Sequence, residues 1–240
     1  MKHLAFAKTF RDSALSLFRN PILPLAGLLI LGFLILLSNL SVYVNKILVS
    51  KALNTTPVLV SWTIIFSLIL FAIVSFFLSG MIASAKSKSR RISSFLENSR
   101  VFWFKTWIIV ILGVLIYNAI NWGSYLIASQ LGKLLNLPLN SARIIFILFY
   151  FAGLLLALFL AYSNIFIVLK ENSIIRSLKN SIKLTKKIYL ETLFVFVIFF
   201  AFSYLVNLIS QNLIKELINS AVLFPLLVCI LVRLFSSEIK

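Results

Sequence analysis

The sequence predicts an all-α integral membrane protein. It reads as a six-transmembrane helix bundle built from three parallel helical-hairpin repeats, each preceded by a cytoplasmic amphipathic helix. Three observations carry that reading. Of 240 residues, 61% are hydrophobic and 12% charged, against roughly 45–50% and 25% in soluble domains; a soluble fold of this size could not hide so much apolar surface. The apolar residues fall in six long runs. The basic residues, 23 Lys and Arg against 6 Asp and Glu for a net charge of +17, lie mostly between those runs. The whole chain, 1–240, reads as one polytopic membrane domain, with repeats at about 5–86, 90–170 and 172–236.

A helix needs roughly 20 apolar residues to cross the hydrocarbon core. The first unit opens with a polar stretch of helical periodicity, with Phe6, Phe10 and Leu17 set against Lys8 and Arg11. Ile22–Val44 then crosses; it is too long for the apolar region of a cleavable signal peptide. A connection with Lys46 and Lys51 follows, and Pro57–Ser84 returns. That returning run carries a small-residue stripe, Ser75, Ser79 and Ala83, whose spacing lets helix backbones approach closely.

In the second unit the apolar positions Ile92, Phe95, Leu96, Phe102 and Trp103 accompany Arg90, Arg91, Arg100 and Lys105. Its spans are Trp107–Ile127 and Ile144–Leu169, joined by an outer turn around Leu131–Pro138, with Gly153, Ala157 and Ala161 as a second small stripe. Trp103 and Trp107 fall at the inner boundary and Trp122 near the outer one, where indoles anchor. In the third unit Arg176, Lys179, Lys183 and Lys186 make one cationic stripe, with Ile175, Leu178 and Ile182 beside it. The spans Ile188–Ser210 and Ile218–Phe235 follow. Pro225 should kink the last one or free a carbonyl. Cys229 reads as a small apolar filler, and Arg233 is close enough to the inner end to snorkel.

The three units align on short polar words: Phe10-Arg11-Asp12-Ser13, Leu96-Glu97-Asn98-Ser99 and Leu178-Lys179-Asn180-Ser181. Six residues after each serine comes a cation, Arg19, Lys105 or Lys187. Farther on, Asn39, Tyr125 and Asn207 share a register position, and in the returning spans, with a two-residue gap, Ser79-Gly80 falls opposite Ser163-Asn164 and Lys86 opposite Lys170. Two spans per unit keep all copies in one orientation. Eighteen of the 23 basic residues lie on one side of the six spans and five on the other. The positive-inside bias therefore puts both termini and the two longer connections in the cytoplasm, with the chain in the cell membrane.

The rare residues exclude much chemistry. One histidine, His3, and one cysteine, Cys229, leave no metal-ligand set, no Cys/His pair and no disulfide. None of the six carboxylates (Asp12, Glu97, Glu171, Glu191, Glu216, Glu238) falls mid-span, where ion-coupled pumps keep ionisable groups. No catalytic residue, metal or cofactor is expected, and the basic residues between spans suit lipid head groups rather than nucleic acid. Two sets of residues are singled out. Arg176, Lys179, Lys183, Lys186, Arg91, Arg100 and Lys105 would meet anionic head groups or a cytoplasmic protein partner, or would serve orientation alone. Asn118, Asn121 and Tyr125 on the third span, with Asn207 on the fifth, would either line a polar cavity or bond helices together.

The stretch Leu178–Lys187, entering a Phe/Val/Ile span in a repeated six-span chain, resembles the membrane-spanning domain fused to some glycerophosphodiester phosphodiesterases, and its stand-alone uncharacterised prokaryotic relatives. The resemblance implies a non-catalytic membrane domain and lends no catalytic residue. The leading expectation is thus a non-enzymatic membrane protein of unspecified molecular role and open oligomeric state. The alternative is a permease-like subunit of an ATP-driven transporter, whose residues 84–106 and 170–187 would dock an ATPase.

Overall fold

The computed structural model describes residues 2–50, 56–87, 91–135 and 139–239. Lys51, Arg90 and the tip of the turn expected at Leu131–Pro138 lie outside them, as do the side chains of His3 and Phe6. Every regular element among the described residues is helical. In chain order these are α1 (Lys2–Arg19), α2 (Ile22–Ser50), α3 (Thr56–Lys86), α4 (Ile92–Leu134) and α5 (Leu139–Ala157). After them come α6 (Ser163–Lys170), α7 (Ile174–Lys187), α8 (Tyr189–Asn207), α9 (Asn212–Ile218) and α10 (Phe224–Glu238). A 3-10 turn, Leu158–Leu160, joins α5 to α6, and a π-helical segment, Asn219–Leu223, joins α9 to α10.

Six stretches are long and apolar enough to cross a bilayer: Ile22–Leu48, Pro57–Lys86, Ile92–Leu134, Arg143–Lys170, Tyr189–Asn207 and Asn212–Glu238. They coincide with the six runs read from the sequence. Long side chains such as Leu36, Ile64, Leu115, Leu148 and Phe200 are exposed along them, an apolar surface that a water-soluble monomer does not present.

Two details depart from the sequence reading, and a third gives form to an expected one. In the second unit the amphipathic stretch and the span form one helix, α4, of 43 residues. The first unit is interrupted because Pro21 has no N–H to give and the Asn20 side chain accepts the Ile22 N–H at 3.3 Å, starting α2 afresh. No proline stands at the corresponding point of α4, so its backbone ladder runs through. The fourth span is broken by the 3-10 turn, which no residue type announces. In the sixth, the disturbance expected from Pro225 is the π-helical segment just before α10; its wider turn accommodates a residue that cannot donate to the ladder.

The core gathers where α3, α6 and α10 meet. Met81 and Ile82 of α3, Tyr162, Ile165 and Ile167 around α6, and the buried run Val228–Leu231 of α10 pack together, and the Phe166 and Phe235 rings meet edge-on at 4.8 Å. Around this centre α1 leans on α10, the first turns of α4 on α3, and α7 on α6. Both termini thus lie at the same end. Asp12 of α1 pairs with Arg233 of α10 at 3.6 Å, and Lys187 of α7 with Glu238 at 2.7 Å.

Candidate functional site

The four cations read as one stripe in the sequence all fall on α7. Arg176, Lys179, Lys183 and Lys186 are all exposed, and Ile175 and Ile182 are exposed beside them. The buried face is a third one: Ser177, Ser181, Leu184 and Thr185, recurring at helical spacing. Ser181 fastens this face. Its hydroxyl donates to the Phe159 carbonyl at 2.8 Å and accepts the Tyr162 N–H at 3.1 Å. One helix later the Tyr189 hydroxyl donates to the Leu155 carbonyl at 3.4 Å. Partners recede along the fourth span as the chain advances, so α7 folds back antiparallel to α6. The hydroxyl stripe of α7 is thus docked on the bundle, because small side chains allow close approach.

The cations of the second unit make no such stripe. Arg91 precedes α4, Arg100 is exposed and Lys105 half-buried; five residues apart on one helix, the last two point to different faces. Here too a hydroxyl-bearing face is buried, with Phe95, Ser99, Phe102 and Thr106 against α3. The small stripe of α3 receives it. A Cβ on Gly80 would meet Ser99 Oγ and the Phe95 ring. The Ser75 and Ser79 hydroxyls donate to Phe71 and Ser75 carbonyls one turn back, at 2.6 and 2.7 Å, which makes them compatible with an apolar contact.

The polar residues of the spans stand apart. Asn118 and Tyr125 are exposed on α4, Asn121 is half-buried, and Asn207 is exposed at the end of α8. The Asn118 amide donates to its own Val114 carbonyl at 2.9 Å, and Tyr125 meets Trp122 edge-on. No hydrogen bond among the described residues joins this group to Asn207. The polar link between α4 and α5 is instead Tyr150 to Tyr117, hydroxyl to hydroxyl at 3.1 Å, which the sequence reading missed; the aromatic spacing alone gave no signal for it.

Among the described residues no three His, Cys, Asp or Glu side chains gather as metal ligands. Cys229 is buried in the α10 face that packs at the centre. The arrangement offers charge, hydroxyls and apolar grooves. No curated protein and no solved structure matches the chain. One family's sequence profile spans residues 4–236, and the chain belongs to that family, the domain of unknown function DUF7847.

Proposed function

We propose that the chain is a non-enzymatic multi-pass protein of the cell membrane, built from three parallel hairpin repeats with cytoplasmic termini, which holds anionic lipid through α7. The observation that carries the lipid reading is the division of α7 into a docked hydroxyl face and an outward face. On the outward face four cations stand beside exposed Ile175 and Ile182. Each cation contributes about 1 kcal/mol at an anionic surface, and the isoleucines suit the acyl boundary next to it.

The repeat reading is supported by equivalences in packing. Ser13, Ser99 and Ser181 are each 0% exposed, and each lies on a segment leaning against the returning span of the unit before it, with the third unit preceding the first. Two apolar grooves share four equivalent lining positions. Ala14, Phe18, Ile198 and Phe202 line one; Ile182, Lys186, Ile116 and Ile120 line the other. The register that superposes the three serines carries each residue of the first set onto one of the second. The units thus follow one another around a ring. The resemblance to the domain fused to some glycerophosphodiester phosphodiesterases points the same way, since it implies a membrane domain without catalytic residues of its own.

Lipid retention tests the function. Protein extracted from bilayers of mixed phosphatidylglycerol and phosphatidylcholine is expected to retain phosphatidylglycerol in excess. Replacing Arg176, Lys179, Lys183 and Lys186 together with glutamine should lower the retained ratio clearly below the parent's while the protein still inserts. An unchanged ratio refutes the assignment to α7. Orientation is tested separately, using reporter cysteines in place of Lys86, Lys179 and Lys133. A membrane-impermeant maleimide is expected to label Lys133→Cys in intact cells and the other two only after lysis. Labelling of Lys86→Cys and Lys179→Cys from opposite sides would end the parallel-repeat reading.

A further inference from the structure

The seam between the first and last helices encloses a cleft of about 730 Å³, within the roughly 300–1,000 Å³ of small-molecule sites. Arg19 at the end of α1, Lys86 at the end of α3 and Arg233 on α10 all line it, three cations brought from distant parts of the chain. The hydroxyl-bearing Ser16 and Ser236 line it as well, and Asp12 is its one carboxylate. That carboxylate is shared between Arg233 at 3.6 Å and Arg11 at 3.5 Å. No ion pair among the described residues engages Arg19 or Lys86. The floor is rigid: Asn20 donates to the Ser84 carbonyl at 3.3 Å while its side-chain oxygen accepts the Ile22 N–H, tying the α1–α2 corner to α3. Because α2 starts where α1 stops, the partial negative charge of one helix end is met by the positive end of the next. The cations are left with net positive charge to offer.

On the adjoining face of α1 lies a second space of quite different character. Phe10, Ala14, Leu15 and Phe18 of α1 face Ile198 and Phe202 of α8 across a groove of about 720 Å³ that is almost wholly apolar. Leu15 lines both spaces. Along α1, Asp12, Ser16 and Arg19 form the polar stripe and Ala7, Phe10, Ala14 and Phe18 the apolar one, with Leu15 on the border. A ligand that fills both must carry an anion at one end and hydrocarbon at the other.

We propose that one anionic phospholipid binds astride α1, its phosphate between Arg19, Lys86 and Arg233 and an acyl chain in the groove against Ile198 and Phe202. The proposal rests on the reading of the chain as a membrane protein but not on the α7 stripe, which shares no residue with this site. The phosphate takes the charge that Asp12 leaves uncompensated, and the preformed cleft spares the ordering that a surface lysine would need.

The test uses the full chain in maltoside micelles, titrated with a tail-labelled fluorescent phosphatidylglycerol. Saturable binding is expected, displaced by unlabelled phosphatidylglycerol but not by phosphatidylcholine or glycerol 3-phosphate. Arg19→Gln with Lys86→Gln should weaken it about tenfold or more, since each cation contributes about 1 kcal/mol. Both side chains are exposed, so the fold is retained. Asp12→Asn should tighten binding by freeing Arg233, an effect that loss of a merely structural ion pair would not give. Ala14→Trp, which fills the groove, should weaken it, and in the fourfold glutamine variant of α7 the part of the binding that depends on Arg19 and Lys86 should remain. The site is overturned if the Arg19/Lys86 double variant binds as the parent, or if phosphatidylcholine competes equally. Competition by glycerol 3-phosphate as strong as that of the lipid would reassign the cleft to a soluble phosphate, and an unaltered Ala14→Trp would remove the acyl chain from the groove.

Discussion

Replacing Gly27 with leucine is expected to be the most destabilising single change in the spans, while Gly32→Ala in the same helix is expected to be neutral or to stabilise. At Gly27, α2 passes the π-helical segment so closely that a Cβ would run into the Ser220 carbonyl and approach Ala221 Cα. These are backbone atoms, so no rotamer change relieves the clash. Overpacking of this kind costs about 1–3 kcal/mol or more, and a leucine adds three carbons beyond the offending one. Gly32 has nothing within 4 Å of its Cβ position, and there the ordinary helix preference for alanine, about 1 kcal/mol, should emerge. Thermal unfolding in one detergent, followed by the monodisperse fraction that survives heating, measures both. A Gly27→Leu melting point equal to the parent's would show that α2 and the π-helical segment do not touch as described.

Hydropathy made the spans legible, because a bilayer demands about 20 apolar residues and little else from each crossing. Departures from regular helix were legible only where a residue type forces them. Pro225 announced a disturbance in the last span, and Asn20-Pro21 separates α1 from α2. Nothing marks Leu158–Leu160, where three ordinary apolar residues take a 3-10 turn. Its cause is tertiary: a hydroxyl from α7 waits beside it. The continuity of α4 through Lys105, Thr106 and Trp107 was equally hidden, since polar words before an apolar run read alike whether or not the helix breaks.

The candidate site divides in the same way. Periodicity revealed the cation stripe of α7, since one helix carries all four residues and their spacing suffices. It did not identify the docked face. On a helical wheel, serine and threonine count as polar and are sent to solvent, yet Ser177, Ser181 and Thr185 are buried. Ser181 tolerates burial because its hydroxyl reaches a carbonyl, as Ser13 reaches Thr9 and Thr192 reaches Ile188, each at 2.8 Å. The hydroxyls of Ser177 and Thr185 are buried without a hydrogen-bond partner among the described residues and serve as small side chains at the contact. The cleft of Arg19, Lys86 and Arg233 had no local signature at all. Its cations come from the first helix, the third and the last, and only the packing of α10 against both α1 and α3 brings them together.

Three serines that align in sequence are expected to respond differently to removal of the hydroxyl. Ser181→Ala should cost about 1–3 kcal/mol, the range for leaving buried partners unsatisfied. At the 3-10 turn the regular ladder lapses, and the Phe159 carbonyl and Tyr162 N–H both turn to Ser181; alanine strands both. Ser13→Ala should cost well under about 1 kcal/mol, because that hydroxyl bonds only the Thr9 carbonyl of its own helix. Ser99→Ala should be neutral or stabilising. Its hydroxyl is buried without a hydrogen-bond partner among the described residues, so alanine removes a desolvated polar atom and keeps the small volume that Gly80 requires. Melting points of the three variants in a common detergent decide the matter. Equal losses would mean that the hydroxyls serve only as small spacers at each helix contact. A loss confined to Ser181→Ala would locate the fastening of α7, and with it the orientation of Arg176, Lys179, Lys183 and Lys186, in a single side chain bridging two backbone groups of the broken fourth span.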